Sequence, residues 1–207
     1  MDITIIGTGN MARGIATRAL AGGHAVRLLG TEEAKAQEAA AQLSGDVRTG
    51  TVGDALEGDV VVLAVWYHAL DDVVQRYRDQ LDGKVVVDIS NPVDPQSFQP
   101  VPVEAGSAAQ ELAQKLPGAR VVKAFNTTFA GTLMAGEVAG QPLDVLLASD
   151  DEDAKAIVRQ LVEDGGQRAV DVGPLPLARQ LEATGYLHMA VQQGLGTGFG
   201  SALKFVA

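Results

Sequence analysis

Apolar, β-branched runs alternate with stretches of helical spacing along most of the chain. The apolar runs fall at residues 2–6, 24–29, 59–65, 84–89, 119–124, 143–148 and 167–172. Between them, residues 10–21, 32–43, 67–80, 107–116 and 151–164 have the 3.6-residue spacing of one-sided helices, as Ile157, Val158, Leu161 and Val162 show before Gly165 and Gly166 stop the turn. This alternation predicts a doubly wound α/β fold, its mainly parallel sheet covered on both faces. Residues 46–58 leave room for one further short strand. Residues 91–106 hold four of the eight prolines and predict a long ordered loop or lid. After Pro174 and Pro176 the strands cease, and Leu177 to Gln193 reads as one helix with Gly185 as its candidate break. The expected organisation is a nucleotide-binding domain over residues 1–173. Residues 174–207 would form a small helical flap at the sheet edge, walling a substrate pocket, meeting a second subunit, or both.

Composition narrows the function classes. A chain of 207 residues with 46% hydrophobic content builds a substantial core. The net charge of −10 disfavours nucleic acid and anionic membranes as partners. The lack of cysteine excludes disulfides and thiolate chemistry. No apolar run approaches the roughly 18 residues of a membrane span, and Met1-Asp2 leads straight into the first strand, so a cytoplasmic protein is expected. His24, His68 and His188 are scattered, and no metal set is expected.

The most informative segment is Ile3-Thr4-Ile5-Ile6-Gly7-Thr8-Gly9-Asn10-Met11-Ala12-Arg13-Gly14. It reads as a strand that turns through Gly7 and Gly9 into a helix, which offers backbone N–H groups and a helix dipole to a pyrophosphate. Gly7 permits the tight turn, Gly9 removes a Cβ from the diphosphate path, and Ala12 takes the third small position. The second apolar run follows at the spacing of a βαβ unit, which makes this a Rossmann dinucleotide site. Gly194, Gly196, Gly198 and Gly200 follow no apolar strand, and that run is expected to be a turn.

Ligands of open α/β sheets lie outside the carboxyl ends of the strands. This rule brings Ala64, Val65, Asn91 and Pro92 to the nicotinamide side, and Ala124, Asn126 and Thr127 to the far wall. Trp66, the sole Trp, either stacks on a flat ring or covers the core from a helix start. At the end of the second strand, Thr31, Glu32 and Lys35 face the adenosine ribose. An inward Glu32 would favour a free ribose, whereas Thr31, Lys35 or Arg13 would favour a 2′-phosphate. Asp88 reads as a structural hydrogen-bond acceptor, and Lys123 and His188 are weak candidates for a catalytic proton donor.

Together, Ile5-Ile6-Gly7-Thr8-Gly9-Asn10-Met11-Ala12, Ala64-Val65, Asp88-Ile89-Ser90-Asn91-Pro92 and Val121-Val122-Lys123-Ala124-Phe125-Asn126-Thr127 resemble the NADP-dependent coenzyme F420 reductases, relatives of the Rossmann domain of the STEAP metalloreductases. The resemblance implies that Thr8, Asn10 and Met11 lie along the pyrophosphate and that residues 30–35 receive the adenosine ribose. It implies NADP rather than NAD as cofactor. It further implies a deazaflavin co-substrate, coenzyme F420, stacked on the nicotinamide and walled by residues 124–127 and the flap. Thr31-Glu32 replaces the family's usual Ser-Arg, and Trp66 replaces its usual Pro. Local positive charge would have to come from Arg13, Lys123, Arg179 or Lys204.

In ring-to-ring hydride transfer no side-chain acid is obligatory, because proximity and orientation carry the rate. The expected function is therefore NADP(H)-linked oxidoreduction with a deazaflavin or flavin-like partner. The alternatives are a reductase of a small carbonyl or imine, with Lys123, His188 or Tyr186 as proton donor, and a non-catalytic dinucleotide sensor. The apolar tail from Phe199 to Val206 predicts a homodimer.

Overall fold

The computed structural model describes residues 1–206. Its first half runs β1 (Asp2–Ile6), α1 (Asn10–Ala21), β2 (Ala25–Gly30), α2 (Glu33–Ala40), β3 (Val47–Thr51), β4 (Val60–Leu63), α3 (Leu70–Tyr77) and β5 (Val85–Asp88). There follow α4 (Ala108–Lys115), β6 (Arg120–Lys123), α5 (Ala130–Ala135), a two-stranded hairpin of β7 (Glu137–Val138) and β8 (Gln141–Pro142), and β9 (Asp144–Ala148). The chain closes with α6 (Glu152–Asp164), β10 (Arg168–Gly173), α7 (Ala178–Ala190) and α8 (Gln192–Leu195).

The main sheet has eight strands in the order β10-β9-β6-β5-β4-β1-β2-β3. Pairings from β3 to β6 are all parallel, β9 runs antiparallel to β6, and β10 is parallel to β9. The order reverses between β1 and β4, and the crevice of such a fold opens at that switch point. Alternate residues of each strand serve opposite faces. Ile3, Ile5, Val60, Val62, Val85 and Val87 pack with α1, α5 and α6, whereas Ile6, Val61, Leu63 and Val86 pack with α3, α4 and Ala178 of α7.

The structure differs from the sequence expectation in four places. The strand expected to reach Val65 ends at Leu63, although Ala64 N still donates to Ile6 O at 2.9 Å. α5 and the β7–β8 hairpin were not foreseen, since neither is long enough to carry a readable period. The flap helix passes unbroken through Gly185 and gives way to α8 at Val191. The third helical segment is flanked by single 3₁₀ turns at Tyr67–Ala69 and Arg78–Gln80. The glycine run near the C-terminus follows α8 as left-handed turns at Gly196 and Gly198.

A buried carboxylate pins the end of the chain. Asp144 accepts from Lys204 Nζ at 2.7 Å and Phe205 N at 2.9 Å, and it pairs with Arg168. Burial opposes its ionisation, but these donors prevail and hold its pKa at about 2.

Candidate active site

β1 ends where Gly7 adopts φ 123°, and a Cβ there would lie 2.3 Å from Ala64 O. Only glycine fits this turn. Gly7 N donates to Leu29 O at 2.9 Å, which ties the turn to β2. Gly9 precedes α1 at φ −72°, and a Cβ there would meet nothing within 4 Å. Its hydrogens therefore face open space. Arg13 N is the first amide of α1 bonded back, to Gly9 O, and the first turn carries no acidic residue. The N–H groups ahead of it form a cradle suited to a diphosphate.

Directly beside this turn lies a cavity of about 410 Å³. Gly9, Asn10 and Met11 line one side, Ala64, Val65, Trp66 and Tyr67 the second, and Ile89, Ser90, Asn91 and Val93 the floor. The far wall consists of Asn126, Thr128, Phe129, Met189 and, from the proline-rich loop, Phe98. Trp66 is 54% exposed at the cavity rather than folded over the core. Tyr67 packs inward and donates its hydroxyl to Glu111 Oε2 at 2.7 Å, which together with burial pushes its pKa well above the ordinary value.

The floor is held by backbone strain and amide pairing. Phe125, buried, takes φ 60°, and its carbonyl accepts from Thr128 N and Thr128 Oγ1. A left-handed non-glycine residue costs energy that the surroundings must offset, and here it swings Asn126 into the crevice. Asn126 Nδ2 donates to Asn91 Oδ1 and Leu181 O, both at 2.9 Å, and Asn91 Nδ2 donates to Asn126 O at 2.9 Å. Asn126 Oδ1 and Ser90 Oγ are buried without a partner. Buried polar atoms seldom stay unsatisfied, and both residues line the cavity, which makes them candidate ligand contacts. α7 reaches this floor through Gly185, where a Cβ would stand 2.8 Å from Asn126 O.

Among the sequence-predicted residues, Gly9, Asn10, Met11, Ala64, Val65, Trp66, Asn91 and Asn126 meet at this cavity. Gly7 and Thr8 form the turn behind it, Pro92 lines a neighbouring cavity under the loop, and Ala124 is fully buried in the core. Ile89, Ser90, Val93, Phe98, Phe129 and Met189 had not been predicted. Of these, Ser90 was readable as the residue before Asn91, but Phe98 and Met189 arrive through the lid loop and flap with no local signal.

Two weak catalytic candidates are placed away from the reacting space. Lys123 is fully buried between Asp88 Oδ2 at 2.8 Å and Glu182 Oε1 at 2.7 Å, and it also donates to Ser90 O. It therefore braces the crevice floor from behind. Burial pushes Glu182 above the ordinary carboxylate range, against the pull of Lys123. His188 Nδ1 lies 3.0 Å from Thr127 O, so this nitrogen carries the proton, and Nε2 accepts from Ser201 Oγ at 2.9 Å. Burial lowers its pKa, leaving a neutral ring stacked 4.2 Å from that of Phe129. Tyr186 lines cavities outside the crevice.

At the ribose end, Glu32 stands at the N-cap position of α2 and pairs with Lys35 at 2.5 Å, both in solvent. Thr31 is exposed beside them. Arg13 donates to Asn10 Oδ1 and Gln42 Oε1. Glu32 is thus neutralised locally rather than presented alone.

Comparison with known proteins agrees with this architecture. Residues 2–92 match the family model described as NADP oxidoreductase, coenzyme F420-dependent. The F420-dependent NADP reductase of Methanothermobacter thermautotrophicus is 34% identical over 200 residues, which cover 88% of this chain and 85% of that protein. Metalloreductase STEAP3 of Rattus norvegicus is 31% identical over 181 residues, 87% of this chain but 36% of that protein, so the chain spans about a third of its length. A crystal structure assigned as an F420-dependent NADP-reductase of Arthrobacter sp. FB24 superposes with a TM-score of 0.85 at 27% identity, covering 99% of both chains. An imine reductase of Bacillus cereus BAG3X2 has a TM-score of 0.68 at 20% identity, over 96% of this chain and 63% of that one, and shares the fold. The chain belongs to the family of coenzyme F420-dependent NADP oxidoreductases.

Proposed function

We propose that the crevice binds NADP(H) across the Gly7–Gly9 turn and passes a hydride between the nicotinamide and a deazaflavin or flavin-like ring. NADP(H) supplies the hydride chemistry. The protein supplies position: amides of the first loop and α1 hold the diphosphate, Asn126 Oδ1 and Ser90 Oγ fix a carboxamide, and Trp66 and Phe129 flank the space for a second flat ring. Thr31, Lys35 and Arg13 are the groups available to a 2′-phosphate. The flap from residue 174 onward walls the site through Met189 and Gly185. We place the reaction in the cytoplasm. The working form is read as a homodimer.

The observation that carries this reading is the glycine cradle at the start of α1 opening on a cavity lined by Trp66, Phe98 and Phe129. A carbonyl or imine reductase would need a proton donor, yet Lys123 and His188 are committed to partners within the protein and Tyr186 lines neighbouring cavities. The deciding experiment is NADPH oxidation against F420, FMN, riboflavin and a panel of small ketones and imines. Turnover with rings and not with carbonyls supports the reading, and the reverse contradicts it.

A further inference from the structure

We propose that the second substrate is a flat redox ring whose substituents are uncharged, so that this site selects the ring and rejects a phosphorylated tail. The proposal deepens the hydride-transfer reading and rests on it for the chemistry, though not for the binding. The cavity beside the glycine turn shares Phe98 and Met189 with a second one of about 620 Å³, between the lid loop and the flap. Every side chain lining either cavity is uncharged. The next cavity, beneath the lid, adds Glu104 and Glu182 against a single Arg179. Of the other cations, Lys204 pairs with Asp144 and Lys123 with Asp88 and Glu182, whereas Arg13, held by Asn10 and Gln42, lies on the side of the glycine turn.

An anionic tail laid along this path would lose water without gaining a counter-charge, on a chain of net charge −10. A neutral ring meets aromatic surface instead. Phe98 is 56% exposed and sits in the left-handed region at φ 56°. Its conformation is fixed by Asp94, whose carboxylate accepts from Gln96 N, Ser97 N and Ser97 Oγ and whose carbonyl accepts from Phe98 N. Strain held by such a clamp is found at ligand contacts. Phe199 meets Phe129 edge-on at 5.1 Å and extends the aromatic wall outward. The redox balance is simple. One hydride leaves NADPH for the ring and one proton comes from solvent, giving NADP⁺ and the two-electron-reduced ring.

Riboflavin and FMN carry one ring and differ by a phosphate, so they isolate the charge. Trp66 is the sole tryptophan and lines the cavity, so quenching of its fluorescence, corrected for ring absorbance, reports occupancy without turnover. The expected result is riboflavin binding at least tenfold tighter than FMN, and the tail-less deazaflavin ring at least tenfold tighter than F420. Phe98→Ala, on the exposed lid loop, should weaken riboflavin at least fivefold. FMN or F420 binding as well as its tail-less partner overturns the proposal, as does quenching by none of the four. Parallel NADPH-oxidation assays test the hydride reading separately: rings that quench Trp66 but are not reduced would remove that reading and leave the binding preference standing.

Discussion

Asn126 and Asn91 exchange side-chain hydrogen bonds across the ends of β6 and β5: Asn126 Nδ2 donates to Asn91 Oδ1, and Asn91 Nδ2 donates back to Asn126 O, each at 2.9 Å. The pairing spends both amide groups on the floor and leaves Asn126 Oδ1 buried without a partner. Asn126→Ala removes both the brace and the acceptor. It should lower kcat/KM for NADPH by about 10- to 100-fold, the value of one or two buried hydrogen bonds. Steady-state kinetics beside a thermal melt separates this from unfolding.

Gly185→Ala places a methyl group 2.8 Å from Asn126 O and 2.9 Å from Asn91 Oδ1. Overpacking of this kind costs about 1–3 kcal/mol. Denaturant unfolding should show that loss, with weaker NADPH binding in the folded fraction. An unchanged midpoint would mean that α7 shifts freely over the floor.

Lys35 is the cation nearest the expected 2′-phosphate in sequence, and Glu32 occupies it. Glu32→Gln should release it and tighten NADPH about three- to tenfold over wild type, with little change for NADH. Exposed ion pairs are weak, so a modest effect is the physical expectation. Calorimetry with both nucleotides checks it, and a gain for NADH instead would put Glu32 on the ribose.

Asp144 should contribute to acid sensitivity. Its folded pKa of about 2 lies below the ordinary 3.8, so the unfolded chain binds more protons between those values. The stability from this carboxylate is fully present above about pH 4 and is lost as the pH falls toward 2. Asp144→Asn should be less stable at pH 7 and should flatten that part of the stability profile, measured by urea unfolding from pH 7 to pH 2.5.

Leu187, Val191 and Leu195 are exposed at four-residue spacing on α7 and α8. A homodimer through this stripe predicts twice the 21.5 kDa chain mass in light scattering. Leu187→Glu should return the monomer.

Much of the fold was legible because strand burial on two faces and one-sided helices leave long periodic signals. β1, β2, β4 to β6, β9 and β10, with α1 to α4 and α6, follow from them, while β3 fills the room left at residues 46–58. α5 and the β7–β8 hairpin did not, because elements of six and two residues fall below any readable period. Glycine misled once: Gly185 was read as a helix break, whereas it is a contact point between α7 and the crevice floor. The residues that meet at the glycine-turn side of the cavity were readable because they lie in short runs at strand ends. Phe98 and Met189 were hidden because their position depends on how a loop and a flap fold back. Lys123 was a weak candidate in the sequence, where nothing local reveals that Glu182, 59 residues later, pairs with it.

The central claim is that the amides around Gly9 bind the diphosphate of a nicotinamide dinucleotide. Gly9→Asp tests it most directly, because φ −72° and the empty space around the Cβ let aspartate enter without disturbing the fold. By calorimetry, wild-type protein should bind NADPH in the micromolar range, and the variant, with an unchanged melting temperature, should bind at least 100-fold more weakly. Equal affinity in the two proteins, or no heat from wild type with any pyridine nucleotide, would contradict the account.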